Sequence, residues 1–79
     1  MIKVKLKKEA AKMALARKNL TQNELARRLG ISSGYMSQIM TGNRHPSAAV
    51  RHLILRNLRG HSFDDLFEIE YCRTDERTI

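Results

Sequence analysis

Thr21 to Gly42, TQNELARRLGISSGYMSQIMTG, decides how the chain is read. Thr21 with Glu24 three residues on is a capping box, the pair of side chains that opens a helix. In that helix Leu25, Ala26 and Leu29 fall on one side, and Gly30 suits the left-handed residue that closes it. Ser32 caps a second helix, in which Met36, Ile39 and Met40 recur at i, i+3 and i+4, and Gly42 stops it. Two short helices, each apolar on one side, therefore meet at a tight glycine-bearing turn. Ala26 must be small because the next helix crosses close above it. Ile31 and Met36 fill the wedge between the helices, and Ile39 anchors the second one to the body.

The other face of that second helix raises a question. The chain has 15 Lys and Arg against 8 Asp and Glu, yet Ser32 to Thr41 holds no charge. At about 100° per residue, Gly34, Ser37, Gln38 and Thr41 point outward, with Ser33 beside them at the N-terminal end. Charge elsewhere is lopsided. Residues 1–63 balance to +11 and residues 64–79 to −4. A basic body favours a polyanion, with nucleic acid ahead of an anionic membrane surface, although lysine and arginine also simply keep small proteins soluble. A DNA major groove admits one helix and little spare bulk, so small side chains let the backbone approach. Gln38 can pair bidentately with adenine, and Ser33, Ser37 and Thr41 can hydrogen-bond base edges or phosphate.

Outward from this centre the signals are local. IKVKL, Ile2 to Leu6, alternates apolar and basic residues, as a short strand would. From about Lys7 to Lys18 the pattern is helical, with Ala10, Ala11, Ala14 and Leu15 on one face, before a turn at Asn19 and Leu20. Asn43 to Pro46 is loop, and Ser47 caps a helix with Val50, Leu53, Ile54 and Leu58 inward. Ser62 and Asp65 form another capping box for a helix of one or two turns. FEIEY, Phe67 to Tyr71, alternates again. Paired antiparallel, the two strands would set Ile2, Val4 and Leu6 with Phe67, Ile69 and Tyr71 on one side and bring Lys3 and Lys5 to Glu68 and Glu70 on the other. The expected fold is mainly α: a compact bundle of about five short helices with a small two-stranded sheet made from the chain ends. One domain over 1–71 and a frayed tail over 72–79 are expected.

Other functions find little support. The lone Cys72 cannot close an intrachain disulfide, no apolar run approaches the ~18 residues of a membrane span, and no signal peptide opens the chain. A cytoplasmic protein with no membrane partner is expected. His45, His52 and His61 lack the spacing of a zinc site with Cys72, so neither metal nor cofactor is expected. Asp64 and Asp65 read as charges favourable to a helix N-terminus. No nucleophile–base pair or phosphate-cradling glycine loop stands out, and no catalytic residue is assigned.

The stretch TQNELARRLGISSGYMSQIMTGNRHPS resembles the Cro and phage-repressor type of helix-turn-helix regulator, also called XRE-like. The resemblance runs from roughly Lys8 to Phe67. It rests on the Thr-Gln start, Glu-Leu-Ala, the turn glycine, Ser-Gln before the last anchor and the glycine two residues after Met40. It implies a regulator of the repressor kind that reads double-stranded DNA with the helix at about 32–41. Bases would be read by Ser33, Gly34, Ser37, Gln38 and Thr41. Phosphates would be met by Gln22, Ser32, Tyr35, Asn43 and Arg44. Tyr35 serves packing or phosphate equally well, and Arg27 and Arg28 are steering charges or ordinary solvated ones. Many family members pair an Arg of the first helix with an acid at the end of the recognition helix. Leu15 and Met40 stand at those positions here.

One recognition helix covers few base pairs, so a homodimer on an inverted repeat is expected. Two surfaces compete for the dimer. One is the Gly60–Tyr71 segment with Phe63, Leu66 and Phe67, which is favoured for its acidity; the other is a strand edge pairing across the axis. The alternative function is an antitoxin or a protein-interaction module that keeps the fold and binds a protein partner.

Overall fold

The structure, a computed structural model, describes residues 2–71, so the expected frayed tail and Cys72 lie outside the described residues. Among the described residues the order is β1 (Ile2–Leu6), α1 (Lys8–Arg17), α2 (Gln22–Leu29), α3 (Ser33–Thr41), α4 (Ala48–Asn57), α5 (Phe63–Leu66) and β2 (Phe67–Tyr71). The expected bundle of five helices with a two-stranded sheet is what forms.

Helices of eight to ten residues are too short to persist alone, so their ends and their packing must hold them. The ends are well supplied. Thr21 Oγ1 accepts the Glu24 N–H at 3.0 Å, and Glu24 Oε1 accepts the Thr21 N–H at 2.8 Å. Ser32, Ser47 and Ser62 cap α3, α4 and α5 in the same manner, with Asp65 completing a second box. Gly30 closes α2 at φ +74° and Gly42 closes α3 at φ +86°, the left-handed region where a Cβ is costly. Asn19 takes the same region at φ +56° after α1. Asparagine is among the few other residues that do so readily.

Packing supplies the rest. Leu15, Leu25, Ala26, Met36, Ile39, Met40, Ile54 and Leu58 share one core with Leu6, Leu66 and Phe67. Leu15 and Met40 are both buried within it, as the apolar replacement of an ion pair requires. In α4, Ile54 is buried while Val50 and Leu53 are half-buried against the core.

The chain ends pair as their alternation indicates. Ile2 faces Tyr71, Lys3 Glu70, Val4 Ile69, Lys5 Glu68 and Leu6 Phe67, antiparallel. The ion pair itself runs diagonally, from Lys5 Nζ to Glu70 Oε2 at 3.1 Å, a reach that long side chains manage across a strand pair. The Lys7 N–H donates to the Leu66 carbonyl at 2.7 Å, tying the start of α1 to the end of α5.

The core takes up part of the favoured dimer surface. Leu66 and Phe67 are 0% and 2% exposed, and Phe63 is half-buried with its ring 5.2 Å from that of Phe67. These side chains plug the core beneath the sheet, because α5 turns directly into β2 and carries them inward. The strands pair within one chain, not across an axis. What stays open is the far end of the ribbon, where Ile2, Ile69 and Tyr71 are 64%, 58% and 65% exposed.

Candidate nucleic-acid interface

α2 and α3 pack on each other, and α4 lies against α2. The turn between α2 and α3 is held by the Ile31 N–H donating to the Ala26 carbonyl at 3.0 Å, which sets the angle of α3. With Met36, Ile39 and Met40 buried, the outer side of α3 consists of Ser33, Gly34, Ser37, Gln38 and Thr41, all exposed. The five expected base readers therefore lie on one face, without a charge among them.

The expected phosphate contacts frame that face. Ser32, Asn43 and Arg44 are exposed, while Gln22 and Tyr35 are half-buried. Ser32 Oγ accepts the Tyr35 N–H at 3.0 Å, which leaves its hydroxyl proton to donate outward. Gln22 is the first residue of α2. The capping box employs the N–H groups of Thr21 and Glu24, so the N–H groups of Gln22 and Asn23 remain at a helix end that attracts anions. Tyr35 packs partly against the core, the first of the two readings offered for it, and its ring lies beneath Arg44. Arg27 and Arg28 are exposed in the last turn of α2.

Three contacts were not visible in the sequence. Arg44 Nε donates to Gln38 Oε1 at 2.9 Å, and its guanidinium lies over the Tyr35 ring, 5.3 Å from the centroid. Thr41 Oγ1 donates to the Gln38 carbonyl at 3.2 Å, so its hydroxyl offers the outside an acceptor. The available signal was Gly42: a left-handed residue there turns the chain back, and the Arg44 N–H returns to the Gln38 carbonyl at 3.1 Å. Ser32, Gly34, Tyr35, Gln38 and Arg44 line a shallow hollow. A larger hollow elsewhere, lined in part by Met13, Arg17, Arg59 and His61, shares none of these residues.

The electrostatics are simple. The backbone N–H of Thr21, followed by its hydroxyl, holds the Glu24 carboxyl below the usual carboxylate range, and the Ser62 contacts do the same for Asp65. The Glu70 carboxylate raises the ammonium of Lys5. None of these groups is on the outer face of α3. Among the described residues no cluster of His, Cys, Asp or Glu is placed to hold a metal ion, and no helix is long and apolar enough to cross a membrane.

A family model described as a helix-turn-helix domain matches residues 8–66. The chain belongs to that helix-turn-helix family. Neither curated proteins nor solved structures gave a match. The matched span begins where α1 begins and ends with α5, so the whole helical body is helix-turn-helix domain and both strands of the ribbon lie outside it. Within the domain, α2 and α3 are the two helices of the motif.

Proposed function

We propose that this helix-turn-helix protein is a sequence-specific DNA-binding transcription regulator of the repressor kind, without enzymatic activity. The outer face of α3 lies in the major groove, with Ser33, Gly34, Ser37, Gln38 and Thr41 toward the bases. Gln22, Ser32, Tyr35, Asn43 and Arg44 meet the phosphates on either side. The observation that carries this reading is the make-up of that face, above all Gly34. A Cβ on Gly34 would meet nothing within 4 Å, and its backbone is not left-handed. The fold makes no demand for glycine there, and a helix is weakened by about 0.5–1 kcal/mol relative to alanine. The advantage of having no side chain lies outside the chain, in close approach to a duplex. The positive charge of the body draws the polyanion in, and the uncharged face discriminates among sequences.

The reading extends to a homodimer on an inverted repeat. Two copies of α3 about 34 Å apart would read half-sites one helical turn apart. The exposed apolar end of the ribbon, Ile2, Ile69 and Tyr71, supports a second copy as its cover. The same patch favours the runner-up function, an antitoxin or interaction module in which a different protein takes that place. Enrichment from a random duplex library, followed by footprinting, separates them. The regulator returns one sequence family with an inverted repeat inside the protected region. Enrichment of no sequence above non-specific binding would mean that the protein does not read DNA sequence.

A further inference from the structure

An arginine just past a recognition helix is the usual material for a phosphate contact that ignores sequence. The surroundings of Arg44 give it a second task. Its Nε–H is spent on Gln38 Oε1, at 2.9 Å, and its guanidinium plane rests over Tyr35. The backbone adds to this, since the Arg44 N–H donates to the Gln38 carbonyl at 3.1 Å. Arg44 is thus held from below by an aromatic ring and from behind by the main chain, and it grips the side chain at the centre of the outer face.

That grip determines what Gln38 can say to a base. A glutamine amide on an open helix face can turn either end outward, offering donor and acceptor in either order. Here the turned-over amide would set an N–H against the Arg44 Nε–H, donor against donor. With Oε1 kept beside Arg44, one lone pair of Oε1 and both N–H groups of Nε2 remain. An acceptor beside a donor complements the N6–H and N7 of adenine. Guanine offers two acceptors, O6 and N7, and matches it badly. Fixing the amide beforehand also removes ordering that binding would otherwise have to supply.

We propose that Arg44 is a positioning residue for base reading: it holds the Gln38 amide in the sense that selects an A·T pair, and Tyr35 holds Arg44. The terminal nitrogens of Arg44 stay available to phosphate, so one side chain couples backbone contact to base choice. This rests on the DNA-reading function proposed above.

The test uses the duplex enriched by the parent protein, with the base pair read by Gln38 identified as the one whose preference Gln38→Ala abolishes. The parent is expected to favour A·T over G·C there by roughly 5- to 100-fold. Arg44→Lys keeps the charge but not the planar Nε–H. It should cut that preference to within about twofold while leaving the preferences at other positions unchanged, and adding Gln38→Ala should reduce it no further. Full retention of the preference in Arg44→Lys, or equal loss at every position, would overturn the proposal while leaving DNA reading intact. If the parent enriches no sequence, DNA reading fails and this role fails with it. A measurement without DNA tests the geometry itself. The Arg44 Nε–H resonance of the free protein should be slow to exchange and should move on Gln38→Ala; an unmoved resonance would mean the contact is not made.

Discussion

A methyl group on Gly34 would enter open space, since beyond its chain neighbours and the adjoining helix backbone nothing lies within 4 Å of where its Cβ would be. Gly34→Ala should therefore stabilise the free protein by about 0.4–1 kcal/mol, chiefly by restricting the unfolded chain. Gly34→Leu should fold at least as well as the parent and lose tenfold or more in affinity for the enriched duplex, because its bulk stands where the groove must come. Thermal melts and binding isotherms of the two variants check this. A leucine variant that is stable and binds like the parent would take this face out of the groove. The outward set was legible residue by residue, since the buried trio Met36, Ile39 and Met40 leaves only one orientation for α3. The Gln38–Arg44 contact was not legible, because it depends on how a left-handed Gly42 aims a flexible side chain.

For the elements, caps and core separate cleanly. Glu24 and Asp65 have folded-state values below their ordinary ones because each accepts the N–H of its cap residue. Their contribution is therefore present above the unfolded carboxylate range, near pH 4, and is lost as pH falls through the depressed folded values. Melting temperature should decline on acidification below about pH 4. In Glu24→Gln, whose amide can still accept the Thr21 N–H, that part of the decline should be missing; an unchanged pH profile would show that the box contributes nothing in solution. The core prediction concerns Leu15. Leu15→Arg alone buries an unpaired charge and should cost about 3–5 kcal/mol, while Leu15→Arg with Met40→Glu should recover much of it. A single variant melting within a degree or two of the parent would place Leu15 outside the core. Caps were readable in the sequence because Thr21–Glu24 and Ser62–Asp65 act across three residues. The ribbon register was readable because alternation and opposite charges agree. The fate of Leu66 and Phe67 was not, since only the way α5 runs directly into β2 decides whether those side chains turn inward or stay on the surface.

For the whole molecule, the ribbon leaves Ile2, Ile69 and Tyr71 together on one exposed face, in a chain small enough to gain from added burial. Ile69→Lys should leave the melting of the monomer almost unchanged, as a solvent-facing substitution does. On a duplex carrying the inverted repeat it should lower the stoichiometry from two protomers to one at limiting protein, read by sedimentation. Two protomers bound with undiminished cooperativity would mean that the dimer, if formed, uses another surface. The sequence's split between a basic body and an acidic end pointed to a polyanion as partner of the body, but did not show which apolar groups the core would consume. Contact between the outer face of α3 and DNA is read by amide and side-chain NMR shifts on adding the enriched duplex. The largest changes should fall on Ser32 to Thr41, with Gln22, Asn43 and Arg44 beside them, and β1 and β2 should change only where a second copy would touch. Changes confined to the ribbon or to the hollow around Met13 and His61, with α3 silent, would contradict it.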